Sequence, residues 1–502
     1  MQSKIVILLL FMCYAVSGNA QATFPKRELR GVWIATVRNI DWPAKGNTTP
    51  AAQRKELMDI FDSHQQTGIN TIYLQVRPSA DAFYARGTEL WSQFLTGRQG
   101  VSPIPAWDPL DFAIKEAHKR GIELHAWMNP YRATNDLDSS HINPVHITRT
   151  KPGWFFTYGR KVYFNPGLPE VRAYIVKIIM DLVRNYDVDG IHFDDYFYPY
   201  PEKNSLPDSA TFARYGQNFA TIEDWRRANV DRLIKTLSDS IHAARKHLRF
   251  GVSPYGIWRN KADVPEGSET SGNITLYHSL YADARKWMQE GWMDYVNPQI
   301  YFPFHYKVAP FEKMMDWWAA NGNGRHVYIG QAPFLSERNS EGWKDRSQLP
   351  RQVRYLRQNP YVQGSVFFSS KSLTDNLGGF RDSLRNDLYR YPALVPTMPW
   401  LDSIAPLAPT ALQVRATSGA NVLNWTAPPI AADGDAAYGY VVYRVQGNQP
   451  INVADPANML AIVFDTQTNY RDTTAQPGKK YNYAITAIDR LKNESEPVRI
   501  SK

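Results

Sequence analysis

The chain has 502 residues, 43% hydrophobic, 21% charged and 13% aromatic, which supplies a large core and excludes a wholly disordered protein. With 57 Lys and Arg against 48 Asp and Glu the formal net charge is +9, but no basic runs occur, so a nucleic-acid partner is not expected. A mean hydropathy of −0.45 and a single long apolar run, at the start, exclude a polytopic membrane protein.

That apolar run belongs to residues 1–20, which read as a signal peptide: Lys4, an apolar stretch over 5–16, then Ser17-Gly18-Asn19-Ala20 before Gln21. The only cysteine, Cys13, lies inside it, and Leu10-Phe11-Met12 lacks the small residues of a lipoprotein box. The expectation is soluble export to the periplasm or beyond, with no membrane segment in the mature chain. A cysteine-free mature chain excludes disulfides, thiol nucleophiles and Cys-ligated zinc.

From 25 to 391, short β-branched or aromatic runs alternate with amphipathic stretches. Strands are expected at 30–37, 71–78, 123–130, 190–198, 250–258, 295–302, 327–334 and 364–370. Helices are expected at 51–66, 109–120, 168–186, 222–247, 280–290, 310–320 and 348–357. Eight strands alternating with helices predict an α/β fold, the (β/α)8 TIM barrel. An open doubly wound sheet would want a Gly-rich turn after its first strand, where Val37-Arg38-Asn39-Ile40-Asp41 stands instead. Prolines 392, 396, 399, 406 and 409 mark a linker over 392–409. Residues 405–502 then alternate in period two, as an all-β sandwich does, with Trp425 filling its core. Tyr470-Arg471-Asp472, Pro477-Gly478, Tyr481, Tyr483 and Asp489 resemble a fibronectin type III module, for which binding of glycan or protein, or spacer duty, is the default.

Active sites of such barrels lie at the C-terminal strand ends. Nearly every strand here closes on polar residues: Arg77; His125, Trp127 and Asn129; His192, Asp194, Asp195 and Tyr196; Tyr255 and Trp258; Asn297, Gln299 and Tyr301. Asp194-Asp195 is the strongest cluster. Adjacent carboxylates repel and split their pKa values, so that one holds a proton near neutral pH, as a glycosidase general acid must. Strand alternation points Asp194 inward with His192 and Tyr196, whereas Asp195 faces the helices unless the strand curls. The structural alternative is that one aspartate caps a loop or pairs with Arg77. Aromatic residues gathered at the same strand ends suit the apolar faces of sugar rings, and Arg77 or Arg132 suits hydroxyls or a sugar carboxylate.

Glu28 to Ile34, Asp189 to Pro199 and Asp294 to Tyr301 resemble the glycosyl hydrolase-like family ten. That resemblance implies a barrel acting on glycans, in particular bacterial envelope polysaccharides such as peptidoglycan strands. The twin aspartates also resemble hexosaminidases that use the substrate's 2-acetamido group as nucleophile. Asp194 would then orient the acetamido nitrogen and Asp195 would be the acid, with Tyr301, Asn297 or Asn129 steadying the intermediate. A conventional second carboxylate could come instead from Asp81, Glu89, Asp263, Glu266 or Glu269. The expected substrate-binding residues are Arg77, His125, Trp127, Asn129, His192, Tyr196, Tyr255, Trp258, Asn297 and Gln299. No cofactor or metal is expected, since His125 and His192 read as wall residues and the spacing of His141 and His146 suits zinc poorly. A glycan-binding barrel without hydrolysis is the alternative, and a metal-dependent deacetylase a third.

Overall fold

The computed structural model describes residues 24–464 and 466–501. The leader-like segment 1–20, with Cys13, lies outside them. Eight parallel strands close a barrel: β1 (Leu29–Ile34), β2 (Thr71–Arg77), β3 (Glu123–Met128), β4 (Gly190–Phe193), β5 (Arg249–Val252), β6 (Tyr295–Val296), β7 (His326–Gln331) and β8 (Gly364–Phe367). They succeed one another in chain order, and β8 closes onto β1 with Gly364 opposite Leu29. An antiparallel hairpin, Phe155–Tyr158 with Lys161–Phe164, is inserted between β3 and β4.

The helices form where the apolar spacing places them. The first, Pro50–Thr67, has proline in its opening turn and buries Leu57, Phe61 and His64 on one face. Gly68 ends it at φ +87°, a left-handed conformation that costs glycine little, and its N–H returns to the carbonyl of Gln65.

The strands are shorter than their sequence pattern suggests, and proline explains two of them. β5 stops two residues before Pro254 and β6 two before Pro298, because proline has no N–H for the ladder. β4 ends at Phe193, after which the chain turns at once, Phe197 N–H bonding to the Asp195 carbonyl at 3.0 Å. That turn frees both aspartates from strict alternation.

Large side chains fill the barrel interior because small ones oppose them. A Cβ on Gly190 would stand 2.4 Å from His125, and one on Gly251 2.3 Å from the Tyr295 ring. Those two glycines are the space into which the imidazole and the phenol fit.

Seven further strands follow: β9 (Thr410–Thr417), β10 (Ala420–Thr426), β11 (Gly439–Gln446), β12 (Met459–Val463), β13 (Asn469–Asp472), β14 (Tyr481–Ile488) and β15 (Val498–Ser501). They form one sheet in the order β9-β10-β13 and another in the order β12-β11-β14-β15. Trp425 lies between the sheets, 5.0 Å from Tyr440. This module docks on the N-terminal end of the barrel. Trp400 donates to Asp294 at 2.9 Å, Arg490 pairs with Asp187 at 2.9 Å, and Lys492 enters the base to meet Glu123 at 2.8 Å.

Candidate active site

The opposite end of the barrel opens into a cavity of about 240 Å³. Asp194 and Asp195 both line it, each with less than 5% of its surface exposed. The turn after Phe193 therefore overrides the alternation that would send Asp195 toward the helices.

The two carboxyls have different partners. Asp194 Oδ1 accepts from Asn129 Nδ2 at 2.8 Å, and its Oδ2 from Trp127 Nε1 at 3.3 Å. Asn129 is itself held, its Oδ1 accepting from the Arg132 N–H at 2.6 Å. Asp195 Oδ2 accepts the hydroxyl of Tyr200, and the Gln299 side chain also reaches this carboxyl. Burial raises Asp194, but the Arg132 guanidinium and the donors from Asn129 and Trp127 oppose the rise. Among the described residues Asp195 has no ion-pair partner, and no cation is among the main influences on it. Burial first, then the charge of Asp194, push it up to about 7. Burial outweighs those donors, so Asp194 also sits above the ordinary carboxylate range, while Asp195 is arranged as the acid that keeps its proton near neutrality.

Aromatic walls surround them. Trp33, Trp127, Tyr196, Tyr301, Phe334 and Phe368 face the cavity. Burial and the nearby Asp195 hold the Tyr301 hydroxyl well above its usual pKa, so it remains a donor. Arg132 also faces in, its guanidinium 5.4 Å from the Tyr196 ring centre.

Of the residues expected to bind substrate, Trp127, Tyr196 and Gln299 line the cavity with Asp194, Asp195 and Tyr301. Asn129 stands behind Asp194 as its donor. The others lie elsewhere. Arg77 neither faces the cavity nor pairs with Asp194. It forms a buried ion pair with Glu89 at 2.6 Å and donates to the Asn129 carbonyl at 2.5 Å, so it braces the tip of β3. His192 lies beneath the cavity, bonded to Trp33 and Ser253, and His125 lies deeper, against Tyr295. Asn297 is fully buried in the interior beside Tyr73. Trp258 stacks on Trp317 at 5.4 Å and donates to Asp283. Tyr255 is half-buried, 6.2 Å from the Tyr200 ring and outside the cavity lining.

None of the alternative second carboxylates lines the cavity. Asp81 and Glu89 are buried behind the β2 loop, while Asp263, Glu266 and Glu269 are exposed. Among the described residues, the one group of three His, Cys, Asp or Glu side chains close enough to share a cation is Asp402, Asp433 and Asp435, in the linker and module. Tyr200, Phe334 and Phe368 went unpredicted. Tyr200 sits in the loop Tyr198-Pro199-Tyr200-Pro201, beyond any strand pattern, although its clustered aromatics and prolines mark an ordered turn.

The profile of the family described as "Glycosyl hydrolase-like 10" matches residues 28–337, a span that holds all three strand motifs and both aspartates. The chain belongs to this family. It is 43% identical over 487 residues to glycosyl hydrolase YngK of Bacillus subtilis, covering 95% of this chain and 93% of that protein. It is 36% identical to glycosyl hydrolase DigH of Escherichia coli K12, over 68% of this chain and 83% of that one. Among solved structures, the glycoside hydrolase domain of PgaB (BpsB) from Bordetella bronchiseptica aligns at 15% identity and a TM-score of 0.46, over 73% of this chain and 99% of that one. Membership in the glycosyl hydrolase-like 10 family thus rests on sequence, and the barrel assignment on the strand topology itself.

Proposed function

We propose that this protein is an exported glycoside hydrolase that cleaves an N-acetylated polysaccharide of the bacterial envelope, peptidoglycan-type glycan strands foremost, with the substrate's own acetamido group as nucleophile. The observation that carries this reading is the cavity's carboxylate content: Asp194 and Asp195 are adjacent, differently bonded, and joined by no third carboxylate in the lining. A retaining pair acting on opposite faces of a sugar needs carboxyls about 5–5.5 Å apart on different supports, which neighbours on one chain turn do not supply.

In this mechanism Asp195 gives its proton to the glycosidic oxygen as the bond to the anomeric carbon breaks. The acetamido carbonyl oxygen closes on that carbon, and Asp194 accepts a hydrogen bond from the acetamido N–H as positive charge develops. Tyr301 donates to the substrate at the cavity wall. Asp195, now a carboxylate, takes a proton from water, which opens the ring intermediate and leaves the configuration retained. The aromatic walls take the apolar faces of one sugar ring, and Arg132 offers N–H donors to a hydroxyl or to the carboxylate of a muramic-type sugar.

Export is supported by the leader-like sequence 1–20, and a fibronectin type III-like assignment by the three-plus-four strand arrangement of the module. The decisive experiment assays reducing-end release from peptidoglycan strands, chitin-like and neutral glycans, with Asp195→Asn beside wild type. Cleavage of N-acetylated substrates alone, abolished by the substitution while binding persists, supports the reading. Binding without cleavage by wild type would make the protein a glycan-binding barrel instead.

A further inference from the structure

The barrel closes where its last strand meets its first, and one carboxylate fastens that seam at the mouth. The β1–β8 ladder ends with Val32 opposite Phe367. Beyond that pair the two tips are joined through Asp41. Its Oδ1 accepts from Ser369 Oγ at 2.6 Å and from the Lys371 N–H at 2.8 Å, and its Oδ2 accepts from the Ala35 N–H at 2.7 Å. The Ala35 carbonyl accepts the Asp41 N–H in return, at 2.9 Å. The turn between them carries Arg38 and Asn39 at φ +54° and +55°, a left-handed conformation that strains an arginine and persists where its surroundings fix it. On its other side the β1 tip is held by Gln75, whose Oε1 accepts from the N–H groups of Thr36 and Val37.

What the seam supports is the aromatic side of the cavity. Ala35, Val37 and Ile40 line it from the β1 tip, and Phe368 lines it from the β8 tip. The Phe368 ring is the hub of that wall, its centre 6.3 Å from Trp33, 6.3 Å from Tyr301 and 6.0 Å from Phe334. The next residue, Ser369, makes the shortest bond to Asp41. Three donors on two oxygens suit a carboxylate, and a proton on either oxygen competes with one of them. Asp41 also lines an open groove of about 550 Å³ between the first helix and the helix Ser370–Thr374, so bulk protons reach it. The charged groups sharing that groove are Lys45, Glu56, Asp59, Lys371 and Asp375. Burial pushes Asp41 up to about 6, while its donors and the Lys371 charge oppose the rise. His64, 2.8 Å from the neighbouring Ser370, is lowered by burial to about 3 and stays neutral in this range.

We propose that Asp41 is a positioning residue for the sugar-binding wall: its carboxylate staples the β1 tip to the β8 tip and thereby holds Phe368, packed against Trp33 and Tyr301, in place for substrate. The staple is closed above about pH 6 and opens as pH falls through that value. Asp195, by contrast, must keep its proton to act, so the two carboxyls bound the working range from opposite sides. The effect on KM rests on the proposed hydrolase reading; the state of the staple does not.

The test uses the full chain with a 4-fluorophenylalanine label at Phe368, read by 19F NMR from pH 5 to 8. These spectra are taken in Asp195→Asn, which removes the other group that titrates beside the label. With Asp41 present the fluorine shift is expected to change with a midpoint near pH 6. Adding Asp41→Asn is expected to give the acid-end signal at every pH. Adding Ser369→Ala instead, which takes one donor from the carboxylate, should move the midpoint up by on the order of one pH unit. In unlabelled protein with Asp195 intact, KM for an N-acetylated oligosaccharide should rise about fivefold from pH 7 to pH 5, the size of a lost aromatic contact. Asp41→Asn should hold that raised KM throughout, with kcat within about twofold of wild type at each pH. Should Asp41→Asn fail to fold, the midpoint and its movement in Ser369→Ala decide. A Phe368 signal with no midpoint between pH 5 and 7, or a midpoint that Ser369→Ala leaves in place, overturns the inference. So does a folded Asp41→Asn with the wild-type signal at pH 7.5. If wild type cleaves no glycan, the hydrolase reading fails and the fluorine signal still judges the staple.

Discussion

The hydroxyl of Tyr200 donates to Oδ2 of Asp195, five residues back along the same loop. It is the main side-chain bond opposing the rise of a carboxyl that burial and Asp194 push up to about 7. Removing it with Tyr200→Phe therefore raises Asp195 further. The alkaline fall in kcat should move up by about one pH unit, with a loss in kcat at pH 6 of less than about tenfold. A pH–rate profile of the variant against wild type checks both.

Asp195→Asn removes the proton donor and keeps the shape. Turnover should drop on the order of 10³-fold, within the range one positioned acid supplies, while Kd for an N-acetylated oligosaccharide stays within about threefold. In wild type the acid must be protonated, so kcat falls as pH rises through about 7. Initial rates and calorimetric binding across pH 5–9 test this.

The same carboxyl weakens the fold at alkaline pH. Its native pKa lies above its unfolded value, so the native state holds the proton more tightly. That stabilisation is complete below about pH 4 and is lost as pH climbs through about 7. Asp195→Asn has no such dependence. It should match wild type at pH 4 and exceed it by on the order of 3 kcal/mol at pH 8, read from urea unfolding at the two pH values.

Arg77 and Glu89 form an ion pair in which both side chains are only 2% exposed. Arg77→Met strands a buried carboxylate and should cost about 3–5 kcal/mol. Arg77→Met combined with Glu89→Gln should recover most of that loss. Because Arg77 also holds the Asn129 carbonyl, both variants should lower kcat more than they raise KM.

The barrel was legible because short β-branched or aromatic runs alternate with amphipathic stretches, and the twin aspartates because no hydrophobic core needs them. Three kinds of information were not legible. Strand length depended on Pro254 and Pro298, which cut the ladders while the apolar pattern runs on. Depth was invisible: His125 and Trp127 share one strand face, yet one abuts Tyr295 in the interior and the other bonds Asp194 at the mouth. Pairing was hidden too, since Arg77 could be judged only once Glu89, twelve residues later, folded against it. Trp258 shows the limit of reading aromatics by position, because its ring serves a stack with Trp317 behind the barrel wall.

The module's attachment to the strand beginnings has a geometric corollary for polymer handling. On the proposed reading, a long polysaccharide meeting Asp194 and Asp195 would lie across the βα loops, on the pole away from Trp400, Arg490 and Lys492. On that reading the sandwich stands away from the strand that would be cut. Under the proposed function, the module would be free to hold a second chain at the pole opposite the mouth.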